Sequence, residues 1–177
     1  VNASPQYVLG YGSLAAERAG GRVATLRGWR RCWGVAMNNS VDLPGYKLYR
    51  RRDGSRPDVF VAFLDIEPDP AASVTGVLLA VAEDELGLLD RRERNYERVD
   101  VSAAVADAPG RVWAYRGSEA GRRRLREGRA HGSAVVSRDY LDAATGAITA
   151  IAPDELAALA PGLSGLMVLG LRRIDLP

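Results

Sequence analysis

The 177-residue chain has room for one domain with a sizeable buried core. Hydrophobic residues make up 47% and charged residues 26%, and a formal net charge of +2 gives no bulk electrostatic case for nucleic acid or membrane. Cys32 is the only cysteine and His131 the only histidine. An intrachain disulfide and a zinc site of several Cys and His ligands are therefore excluded, and a Ser-His-Asp or Cys-His apparatus would have to use His131.

Taken in chain order, Val1-Asn2-Ala3-Ser4-Pro5 lacks the basic and apolar regions of a signal peptide, and no run of about 18 apolar residues follows anywhere. A cytoplasmic protein is the expectation. Residues 6–11 read as a buried first strand running into glycines. Ser13 caps a short helix through Arg18, stopped by Gly20-Gly21. Residues 22–38, with Gly28 and Gly34 inside, read as two short strands or one bent strand. Pro44-Gly45 is a turn, residues 46–50 a strand with one wet face, and Asp53-Gly54 another turn. Residues 59–66 form a strand closed by Glu67-Pro68-Asp69-Pro70, and residues 74–81 form the next.

From Ala82 to Arg92 the period changes to that of a helix, with Leu86, Leu88 and Leu89 on its apolar side and Glu83, Asp84 and Glu85 in its first turn. Residues 98–105 and 111–116 read as strands around Ala108-Pro109-Gly110. Residues 117–129, rich in Gly, Glu and Arg, read as a mobile surface loop. Residues 138–144 and 153–159 read as helices, and the apolar segment 166–174 is a last strand or a partner surface. Strands dominate early and helices come late. That order favours a twisted, mostly antiparallel sheet or small barrel with helices on one side over a doubly wound fold.

Two constellations carry chemistry. A strand followed by Gly10-Tyr11-Gly12-Ser13 directs successive backbone N–H groups at one point, which suits an anion; the plain alternative is a turn capped by Ser13. The dinucleotide fingerprint fails in its strict form, because its third glycine falls on Ala15. Glu93 falls at a helix end, where the dipole disfavours a carboxylate, with Leu89 one turn earlier. Both neighbours would raise a carboxyl pKa and suit general acid/base work. The alternative is a surface glutamate paired with Arg91, Arg92 or Arg94. His131 reads as a loop residue and Cys32 as a buried inert thiol. The Arg50-Arg51-Arg52 and Arg122-Arg123-Arg124 runs invite an RNA reading, which the low net charge opposes. Lys47 is the only lysine, and the arginine skew reads as genomic composition.

Together, residues 8–14 and the segment Leu89-Asp90-Arg91-Arg92-Glu93 with Tyr96 resemble the glycine loop and the "LD-x-x-E…Y" segment of the γ-glutamylcyclotransferase superfamily. The order fits, with the glutamate about 80 residues after the loop. Asn39-Ser40 resembles an Asn-Ser that the family often carries after its second strand. The resemblance implies a mixed α/β (α+β) fold, a small mostly antiparallel β-barrel with a few packed helices. It implies one domain over residues 1–177, with a core at about 7–145 and a C-terminal extension at about 146–177. The implied reaction is intramolecular aminolysis of a γ-glutamyl amide or peptide, releasing 5-oxoproline and an amine or amino acid, with no metal and no organic cofactor. Glu93 is then catalytic, and Gly10, Tyr11, Gly12, Ser13, Leu14, Asn39 and Tyr140 bind substrate.

The implied partner is a small γ-glutamyl molecule, not nucleic acid or membrane, for a monomer or homodimer. The sequence departs from the family at Leu14, where an Asn is usual, and at Arg94, where a Gly often follows the glutamate. The arginines of residues 117–126 suggest an acidic leaving group. Two alternatives remain: a non-catalytic small-molecule binding or regulatory module of the same fold, and an RNA-associated domain.

Overall fold

The computed structural model describes residues 5–17 and 21–177, without the side chains of residues 16 and 17. The expected helix stop at Arg18 and Gly20 lies outside the described residues. Apolar β1 (Gln6–Gly10) leads into a one-turn helix α1 (Ser13–Glu17). The centre of the fold is a ribbon of two long antiparallel strands, β2 (Arg22–Asn38) and β4 (Phe60–Val81). Between them lies β3 (Lys47–Arg50), which pairs with the C-terminal β9 (Arg172–Asp175) in a separate two-stranded sheet.

Residues 22–38 are thus one bent strand, with register shifts beside Gly28 and Gly34. Gly28 has φ +77°, a conformation that glycine adopts without a Cβ penalty. The Glu67–Pro70 stretch does not end its strand as the sequence suggested. Residues 69–72 fall between the pairs Trp29↔Pro68 and Arg27↔Ser73 and have no partner in β2, so the bulge absorbs Pro70 without costing a ladder hydrogen bond.

Each end of β4 recruits a different neighbour. Its last residues pair antiparallel with β1, and its first pair parallel with β7 (Ala134–Ser137), a strand the sequence reading missed. The ladder runs β5-β6-β1-β4-β7-β8, with β2 also on β4; no pairing among the described residues joins β5 to β8. Here β5 is Tyr96–Asp100, β6 Arg111–Gly117 and β8 Met167–Leu169. This is the expected mixed α/β architecture. β1 runs parallel to β6, and β5 runs antiparallel to β6. The end of β1 and the start of β5 therefore reach the same edge of the sheet, which positions the site.

Helix α2 (Glu83–Arg92) buries Leu86 and Leu89 against Val8, Val81 and Tyr115, whereas Leu88 is exposed. The expected loop after β6 is instead helix α3 (Glu119–Ala130), capped by the Ser118 side chain, which accepts from the Gly121 N–H. Arg122 and Arg124 do not form a basic face. Arg122 Nε donates to the buried Asp65 carboxylate at 2.9 Å, and Arg124 donates to Ala36 O and Asn95 Oδ1. Burial keeps the Asp65 carboxyl above its ordinary value, although the Gly117 N–H and Arg122 both favour its charge. Helix α4 (Arg138–Ile151) buries Leu141, Ala144 and Ile148. The helix expected at 153–159 is a string of 3₁₀ turns, Pro153–Glu155, Ala157–Leu159 and Pro161–Leu163. The tail then contributes β8 and β9.

Candidate active site

Glu93 is the C-cap of α2, and its N–H donates to Leu89 O at 2.8 Å. The next strand starts at once, since Tyr96 N donates to Glu93 O. This abrupt exit holds the carboxylate against the sheet edge where β1 ends. Its side chain is 20% exposed, with Arg92 Nε at 3.4 Å. The expected arginine partner is thus present in Arg92, but the glutamate lines a cavity. Arg94 turns away and donates to Pro44 O.

Two cavities meet at Glu93. The small one, about 50 Å³, is lined by Leu9, Gly10, Tyr11, Gly12, Ser13 and Leu14, with Leu64, Tyr96, Tyr115 and Tyr140 opposite. The large one, about 400 Å³, extends to Tyr46, Lys47, Tyr49, Phe63 and β9. Ser13, Arg92, Glu93, Tyr96 and Tyr140 line both. Glu93, Gly10–Leu14 and Tyr140 are therefore brought together as the sequence pairing expected.

The turn after β1 is held rigidly. Arg31 is 8% exposed, and its Nε donates to Tyr11 O at 2.8 Å; its other nitrogens reach Thr75 O and Glu155 Oε2. Ala15 N donates to Gly12 O. The first residues of α1 have no intrahelical acceptor for their N–H groups, as at any helix start. Three of the four tyrosines in the wall of the small cavity bond to backbone groups through their hydroxyls. Tyr11 donates to Tyr115 O, Tyr96 donates to Leu64 O at 2.6 Å, and the Tyr140 hydroxyl accepts from Leu64 N at 3.1 Å. Burial pushes all three well above the ordinary tyrosine value, so they are neutral and cannot serve as bases.

Asn39 lies elsewhere. Fully buried, it donates to Tyr49 O and Pro57 O and accepts from Tyr49 N, so its amide fixes β3 and lines neither cavity. His131 caps the C-terminus of α3, away from both cavities. Burial pushes the Cys32 thiol up to about 12. Among the described residues no group of three or more His, Cys, Asp and Glu side chains is placed to hold a metal ion. No helix among them is long and apolar enough to cross a membrane.

The site also contains residues that sequence reasoning missed: Lys47, Tyr46, Tyr49 and Phe63, and Leu171, Arg173 and Asp175 from the tail. A solitary lysine in an arginine-rich chain was the one available signal for Lys47. The arginines of residues 117–126, expected to suit an acidic leaving group, line neither cavity at Glu93; Arg122 and Arg126 line a separate cavity beside Asp65 and Leu159.

A helix-end carboxylate and a glycine-rich turn thus line one small cavity of a mixed α/β fold, with buried neutral phenols around them. Residues 8–141 match the gamma-glutamyl cyclotransferase, AIG2-like family, and the chain belongs to that family. No curated protein matches the sequence significantly.

Among solved structures, a protein from Arabidopsis thaliana shares 21% identity over 68% of this chain and 74% of its own, with a TM-score of 0.40. An uncharacterized protein from Homo sapiens shares 16% over 64% and 66%, with a TM-score of 0.42. A structure described as a gamma-glutamyl cyclotransferase shares 17% over 63% and 66%, also at 0.42. The family implies a small-molecule substrate.

Proposed function

We propose that the protein is a γ-glutamyl cyclotransferase in which Glu93 moves the proton. The observation that carries this is that the Glu93 carboxylate and the Gly10–Leu14 turn line one small cavity. The glutamyl end of a γ-glutamyl amide occupies that cavity, its charged end against the N–H groups of the turn. The substrate's α-amine attacks its own γ-carbonyl carbon. A new C–N bond closes a five-membered ring while the old C–N bond to the leaving amine breaks.

Glu93 accepts the proton that the α-nitrogen loses and returns it to the leaving nitrogen. Products are 5-oxoproline and a free amine or amino acid, with no net gain or loss of protons or electrons by the enzyme. The nucleophile belongs to the substrate, so the chain needs no Ser-His pair. Its contribution is to hold the substrate folded, and proximity of this kind is worth up to about 7–11 kcal/mol in well-oriented systems.

The test is 5-oxoproline release from a panel of γ-glutamyl amines and amino acids by wild type and Glu93→Gln. The Gln variant keeps the shape and loses the base, so kcat should fall by about 10²–10⁴-fold. A Gln variant as active as wild type, or a panel in which nothing turns over, would overturn the reading.

A further inference from the structure

Of 24 lysines and arginines, Lys47 is the only lysine, and it stands in the wall of the large cavity. Its Nζ lies 4.4 Å from the Phe63 ring centroid and 5.3 Å from that of Tyr46. Ring faces hold a cation there without neutralising it. Among the described residues no carboxylate comes within ion-pair distance of Lys47. The other cations around it are placed differently. Arg173 Nε binds Asp175 Oδ1 at 2.7 Å, and Arg92 Nε lies 3.4 Å from Glu93. Asp139 at the start of α4 completes the charged groups of the cavity. Burial, aided by Arg173, lowers the Lys47 pKa to about 8, which marks a desolvated ammonium.

The side of the scissile bond on which Lys47 acts follows from the cavities. They meet at Glu93, which must reach the leaving nitrogen, so a substrate whose glutamyl end fills the small cavity extends its leaving group into the large one. We propose that Lys47 is the receptor for a carboxylate on the leaving group, making γ-glutamyl amino acids or peptides better substrates than γ-glutamyl derivatives of simple amines. This rests on the cyclotransferase reading above. Tyr49, Phe63 and Leu171 line the same space and offer apolar contact to the leaving residue's side chain. Lys47 falls within the family match, but part of the wall around it does not. Lys47 pairs in register with Asp175 of β9, and β9 lies after residue 141, where the match ends.

The experiment compares γ-glutamyl-leucine with γ-glutamyl-3-methylbutylamide, the same molecule without the leaving-group carboxylate. A charge-assisted contact predicts a kcat/KM ratio of about 10–100 in favour of the acid for wild type. In Lys47→Met the ratio should collapse to within about threefold of one, and in Lys47→Arg most of it should survive. Thermal unfolding shows that both variants are folded. A wild-type ratio near one, or a ratio that survives in Lys47→Met, overturns the proposal.

If neither substrate releases 5-oxoproline, the cyclotransferase reading has failed, and a second measurement decides Lys47 separately. The lone lysine amine is acylated with acetic anhydride and followed by peptide mass spectrometry. Protection by γ-glutamyl-leucine but not by the amide supports a carboxylate receptor, and equal labelling with either ligand overturns it.

Discussion

A pair of glycine substitutions separates substrate binding from folding in the turn after β1. A Cβ at Gly12 would lie 3.5 Å from Leu64 Cδ1 and 3.6 Å from the Tyr140 hydroxyl, ordinary van der Waals distances. Both of those residues line the small cavity, so the added methyl projects into it. A methyl occupies on the order of 30 Å³, about the share of one water in the liquid, and the cavity is only about 50 Å³. Gly12→Ala also restricts the unfolded chain, which contributes about 0.4–1 kcal/mol of stability. The variant should therefore unfold within about 4 °C of wild type while losing kcat/KM by about 100-fold, the effect of displacing a substrate by about 1 Å.

Gly10 is the contrast. A Cβ there would lie 3.0 Å from Ala15 N and 3.2 Å from Leu14 C, both backbone atoms of the turn itself. The turn must shift, at about 1–3 kcal/mol. At roughly 2–4 °C per kcal/mol for a chain of this size, Gly10→Ala should lower Tm by about 2–12 °C as well as activity. Calorimetry and 5-oxoproline release measure the two effects. A Gly12→Ala protein with wild-type kcat/KM would refute the placement of the glutamyl end in the small cavity, and an unaltered Tm in Gly10→Ala would refute the geometry of the turn.

Three further predictions follow from two titrating groups. Lys47 titrates near 8 in the folded chain against about 10.5 when unfolded, so it is charged below 8. The preference for a leaving-group carboxylate should fall as pH rises through about 8 in wild type and persist in Lys47→Arg, and a pH profile that is the same for both proteins contradicts this. Between about 8 and 10.5 the unfolded chain binds the extra proton, so this group's contribution to stability rises with pH. Below 8 burial of the ammonium opposes folding, and Lys47→Met should raise Tm at pH 7. Cys32, held at about 12 by burial, should react with a thiol reagent at pH 8 far more slowly in the native protein than after denaturation; equal rates would show an accessible thiol.

Local chemistry made α2 legible before any fold was known. Its acids fall in the first turn, its arginines in the last, and Leu86 and Leu89 on one side, so the helix and the Glu93 at its end could be read directly. The β1 turn was equally local, because Gly10, Gly12 and Ser13 are near neighbours in the chain, with the helix starting at Ser13 itself. Helix α3 was illegible for a physical reason. Its buried face is Gly121, Leu125 and Gly128, and the glycines serve close approach rather than hydrophobic contact. A Cβ at Gly121 would lie 2.8 Å from Asn95 O, and one at Gly128 would lie 2.8 Å from Phe60 Cβ. A hydrophobic periodicity cannot register a face made of missing side chains. Likewise the prolines of residues 67–70 looked like a strand end, because only the pairing with β2 shows that they sit in a bulge.

The sequence by itself determined the two motifs, the helix-end carboxylate and the glycine turn, since each depends on neighbours a few residues away. That they face each other was decided by the tertiary structure. Parallel pairing of β1 with β6, and antiparallel pairing of β5 with β6, bring residues 10–14 and 93 to one sheet edge. The same holds for the cavity wall, where Lys47 and Asp175 are 128 positions apart and adjacent only through β3–β9 pairing. Burial and electrostatic setting depend on such long-range contacts, and these give the solitary lysine a place in the same cavity as Glu93 that its local sequence does not encode.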